Sequence, residues 1–112
     1  MRVQSATFQM PRIEEKRRGV RLNSRAPVTV EWQDAAGNIS QADAYTRTVG
    51  PYGCLLVLPQ ELAVAQTVRI FNKATGSANA ASVVWKGSER ADGWELGIEL
   101  TNPPMDFWGF DL

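Results

Sequence analysis

The sequence predicts an all-β fold, a small six-stranded antiparallel barrel or sandwich. Apolar residues recur at every second position in several short windows, turn-forming residues separate those windows, and no stretch sustains a helical period over three turns. The 112 residues are the size of one domain, and a 44% hydrophobic content is enough to close one core without disulfides or metal.

The first strand is read at 28–32, where Val28, Val30 and Trp32 alternate with Thr29 and Glu31. A turn follows over 34–38. The second strand, 39–49, mixes Ala42, Ala44, Thr46 and Thr48 with Asp43, Tyr45, Arg47 and Val49, and this pattern leaves its register open. Gly50, Pro51 and Gly53 break it. The continuous apolar run 54–58 predicts a third strand covered on both faces and ended by Pro59, and 61–66 reads as a loop. Strands at 67–71 and 81–86 flank a loop containing Gly76. The Asp92-Gly93 pair predicts a turn before the cleanest alternation in the chain, Trp94, Leu96, Ile98 and Leu100 against Glu95, Gly97, Glu99 and Thr101. By this reading Trp32, Trp85 and Trp94 fill the core, and Glu95 and Glu99 share a solvated face.

After Pro103 and Pro104 the tail carries Phe107, Trp108 and Phe110. Bare aromatic surface is costly, so the tail is expected to form a short turn or helix that plugs one barrel end, or to meet another chain.

Formal charge divides the molecule. Seven of its twelve basic residues fall within 1–25, which carries about +5 against about −5 for the rest, so a net charge of zero conceals a basic arm on an acidic body. We read 1–25 as a flexible basic arm and 26–112 as the barrel domain. Arginine offers a planar fork of donors and a flat face, a combination that suits phosphates joined to purines. Composition leaves three fates open for the cluster: solvated surface, a small anionic ligand, or nucleic acid, the last disfavoured by the acidic body.

Other function classes are poorly supplied. With no histidine and one cysteine, the usual zinc and haem sites and the serine or cysteine triads lack their parts, so no cofactor, metal or enzymatic activity is expected. Cys54, set among apolar neighbours, reads as buried. The first twelve residues contain no apolar run of seven, and no run elsewhere is long enough to span a bilayer, so a cytoplasmic protein without a membrane span is expected.

Arg17-Arg18-Gly19-Val20-Arg21, a few residues ahead of the first strand, resembles the arginine motif that opens PilZ domains, receptors for the bacterial second messenger cyclic di-GMP. Two further segments are similar to that family. Thr48-Val49-Gly50-Pro51-Tyr52-Gly53 occupies the place of its second motif, and Gly97-Ile98-Glu99-Leu100 that of a late strand, so the likeness covers nearly all of 16–112. The resemblance implies a PilZ-like six-stranded barrel whose arginine segment folds over the outer wall when ligand arrives. It also implies a ligand site of Arg17, Arg18, Arg21, Thr48, Gly50 and Gly53, and a protein partner that reads the switch. In the family the second motif begins with aspartate or asparagine and has serine two places later, both used on the guanine edge. Here Thr48 and Gly50 stand at those places and Gly53 alone matches. Thr48 keeps a hydroxyl without a carboxylate's charge, and Gly50 has only its backbone.

Overall fold

The computed structural model describes residues 21–109. They form seven strands: β1 Leu22–Asn23, β2 Pro27–Gln33, β3 Ile39–Gly50, β4 Gly53–Leu58, β5 Thr67–Asn72, β6 Ala78–Arg90 and β7 Gly93–Leu100. Every pairing is antiparallel. The order β3-β2-β5-β6-β7-β4 returns to β3 through a β3–β4 hairpin, so six strands close a barrel and β1 lies outside that circuit, paired to β3 through Leu22↔Val49 and Asn23↔Thr48. Of the arm defined by charge, residues 22 and 23 are therefore laid into the sheet. Closure removes the free edges through which sheets aggregate.

Alternate residues fill the interior: Val28, Val30 and Trp32 from β2, Leu56 and Leu58 from β4, Val68 and Ile70 from β5, and Leu96, Ile98 and Leu100 from β7. Each such side chain contributes roughly 1.5–3 kcal/mol of burial. Two ladders break the alternation. On β3, Thr46 pairs with Leu56 and Thr48 with Leu55, which leaves Arg47 as an extra, bulged residue. Ala44 and Thr46 point inward, and after the bulge the next inward residue is Val49. On β6 the register shifts between Val83 and Trp85, with Val84 bulged.

This second bulge corrects the reading of Trp85. Alternation from Ala81 and Val83 would place its indole inside, but the extra residue turns it out, and Trp85 is 49% exposed. Trp94, at the start of β7, is half-buried beneath the Lys86 ammonium, 5.3 Å from its ring centroid. Trp32 is in the core as expected. The shared face of Glu95 and Glu99 is not uniformly solvated either, since Glu95 is buried and Glu99 exposed.

One end of the barrel is closed by the C-terminal turns. Phe107 and Trp108 are buried, their rings meeting edge to face with centroids 4.9 Å apart, and Trp108 Nε1 donates to the Gly50 carbonyl oxygen at 2.9 Å. The buried Asn72 amide donates to the Phe107 carbonyl oxygen at 2.9 Å. Of the two expectations for the tail, the plug holds for these two residues; Phe110 lies outside the described residues. Among the described residues there is no helix long and apolar enough to cross a membrane.

Candidate functional site

A groove of about 400 Å³ runs along the outer wall over the ends of β3, β4 and β7, lined among others by Arg21, Thr48, Gly50, Gly53, Trp85 and Glu99. Four of the six residues expected from the sequence thus share one concavity. Arg17 and Arg18 lie outside the described residues.

Each lining residue is placed by a local cause. Arg21 is exposed and immediately precedes β1, so the two-residue ladder to Val49 and Thr48 fixes where its backbone meets the wall. Thr48 faces outward because of the bulge at Arg47; strict alternation from Thr46 would have turned it into the core. Thr46 anchors the chain just below. Its hydroxyl donates to the Ser24 carbonyl oxygen at 2.6 Å and accepts from the Ala26 N–H at 2.8 Å, which holds the link between β1 and β2 against β3.

Gly50 and Gly53 bracket the Pro51-Tyr52 turn and pair with each other. Gly53 is required by close approach: a Cβ there would fall 2.1 Å from the Ile98 carbonyl oxygen. Gly50 is buried, and its carbonyl is taken by Trp108. The second motif therefore gives the groove two hydroxyl-bearing side chains, Thr48 and Tyr52, and its glycines serve to bring β3, β4 and β7 together.

Trp85 forms one side of the groove. A Cβ at Gly87 would lie 2.3 Å from its Cη2, and one at Gly97 would lie 3.1 Å from its Cβ. Both glycines leave room for the indole to rest against the strand backbone. Sequence reasoning assigned this ring to the core. The available signal was Gly97, a glycine inside an otherwise regular strand, which marks a place where something packs closely on the sheet.

Charge beside the groove is organised around Glu95. Arg90 Nη2 lies 3.3 Å from both of its carboxylate oxygens, and Arg47 Nε lies 3.9 Å from Oε2. Arg47 and Arg25 line a second groove of about 540 Å³ that adjoins the first through Thr48 and Leu55. Arg25 is exposed, with its guanidinium 4.1 Å from the centroid of the Tyr45 ring. Cys54 also lines the first groove, and burial pushes its thiol up to about 12, so it is protonated and a poor nucleophile at neutral pH. Among the described residues no three His, Cys, Asp or Glu side chains gather as a metal site would require.

A groove lined by a guanidinium, an indole and hydroxyls can hold a ligand that is anionic and flat. No family model matches the chain, and no curated protein matches it.

Proposed function

We propose that this protein is a receptor module for cyclic di-GMP, which binds on the outer barrel wall and draws the arginine arm down over itself. The observation that supports the reading is the convergence of Arg21, Thr48, Gly50 and Gly53, from two separate sequence motifs, on one groove. Its volume falls within the range of about 300–1,000 Å³ common for small-molecule sites. In this reading Arg21 contacts a phosphate, Arg17 and Arg18 arrive with the arm, and Gly53 holds β4 against β7 so that the groove floor keeps its shape. No bond is made or broken; the output is an ordered arm presented to a protein partner in the cytoplasm.

Isothermal titration of the full chain with cyclic di-GMP tests the reading. Saturable heat is expected, and Arg21→Glu is expected to abolish it while leaving stability within about 0.5 kcal/mol, since Arg21 is exposed. A folded wild-type protein that gives no heat at about 100 μM ligand overturns the receptor assignment, that concentration corresponding to a binding energy too weak for a signalling receptor.

The second reading is a degenerate domain of the same kind that binds ligand weakly or not at all and works as a protein-interaction module. It is favoured by the sealed carbonyl of Gly50 and the loss of charge at Thr48. The surface it would use is not the aromatic tail, because Phe107 and Trp108 are buried, but the exposed Tyr52, Val84 and Trp85. Under this reading, cyclic di-GMP leaves the sedimentation of the protein unchanged and Trp85→Asp abolishes capture of the partner.

A further inference from the structure

We infer that the groove holds the bases of its ligand by stacking on Trp85 rather than by reading their hydrogen-bonding edges, and so accepts guanine and adenine cyclic dinucleotides alike. This rests on the receptor reading above and specifies how that same site chooses its ligand.

Trp85 is an unusual residue to leave in the open. An indole is among the most costly side chains to expose, yet the bulge at Val84 turns this one outward at 49% exposure. The sheet beneath is shaped to receive it, with glycine at the two places where a Cβ would collide with it or crowd it, Gly87 and Gly97. The ring is thus backed by strand backbone and opens on the groove that Arg21 also lines. A flat aromatic surface paired with a guanidinium engages a purine through its π-face, which every purine has.

Edge reading needs donors and acceptors aimed at the base, and here they are few. The Gly50 carbonyl already accepts from Trp108, and its position has no side chain. Glu99, the carboxylate at the rim, has a partner within the protein. Thr48 and Tyr52 supply hydroxyls, and a hydroxyl both donates and accepts and therefore satisfies the guanine carbonyl or the adenine amine equally well. Strong discrimination arises when a wrong ligand strands a buried polar group, and a groove whose neutral polar side chains are hydroxyls strands none.

The test is titration of the full chain with cyclic di-GMP and with cyclic di-AMP, followed by indole fluorescence. The expected dissociation constants lie within about threefold of each other, a difference below 1 kcal/mol. Trp85→Leu, which keeps apolar cover over the glycines, is expected to weaken both ligands roughly tenfold or more, the usual scale for losing one stacked base. Trp85→Phe is expected to retain affinity for both but to lose the ligand-induced quenching expected of the wild type. Preference for guanine above about thirtyfold, or wild-type affinity in Trp85→Leu, overturns the stacking inference and leaves the receptor standing. Binding of neither dinucleotide overturns both.

Discussion

The indole N–H of Trp108 donates to the carbonyl oxygen of Gly50 at 2.9 Å, across 58 residues of sequence. The C-terminal plug is thereby fastened to the strand end that forms one border of the groove. Trp108→Phe keeps the aromatic packing and leaves a buried carbonyl without its donor, which costs about 1–3 kcal/mol. Thermal unfolding should record this as a fall of at least about 4 °C in a domain of this size.

Gly53 meets the β7 backbone too closely for any side chain. A Cβ 2.1 Å from the Ile98 carbonyl oxygen forces β4 and β7 apart. Gly53→Ala is expected to lose more than about 2 kcal/mol, beyond the ordinary range of surface substitutions. Urea unfolding that matches the wild type would show that the two strands separate freely at this point.

Arg90 and Arg47 contribute unequally to holding Glu95. Arg90 bonds both carboxylate oxygens at 3.3 Å, whereas Arg47 stands 3.9 Å off, beyond hydrogen-bonding range. Arg90→Met should therefore destabilise by about 1–3 kcal/mol, the usual cost when a buried charge loses its hydrogen-bonding partner. Arg47→Met should cost less than about 1 kcal/mol, as exposed pairs do. Equal losses in chemical denaturation would contradict this division.

Cys54 links stability to alkaline pH. Its folded-state pKa is raised from 9.0 to about 12, so above the lower value the unfolded thiol releases its proton while the folded one retains it. Proton binding then favours the folded state less as pH rises, and the stability present below the unfolded value is lost progressively between the two. Unfolding measured from pH 8 to pH 11 should show this decline in the wild type and a smaller one in Cys54→Ala. Alkylation at pH 8 should be at least about tenfold slower in folded than in urea-unfolded protein.

The parts of the fold that were legible in advance are those where period two runs unbroken. Trp94 to Leu100 was read as one strand, and Leu96, Ile98 and Leu100 are buried in it as alternation demands. Legibility failed at the bulges. An extra residue at Arg47 or Val84 has no strong local signature, because it is set by how two distant strands share their hydrogen bonds, yet it reverses the facing of everything beyond it. The same event hid the register of β3 and sent Trp85 to the wrong side. β1 was missed for another reason: two exposed residues paired through their backbones carry no apolar pattern. At the site, Arg21, Thr48, Gly50 and Gly53 were named from motifs and meet in the groove, whereas Glu95 with its arginines depended on spacing that only the folded sheet supplies.

Because β1 clips the chain to β3 immediately after Arg21, the backbone that carries Arg21 is fixed against the groove wall. The two-residue clip therefore leaves only the Arg21 side chain, and not its backbone, to be ordered by anything that enters the groove.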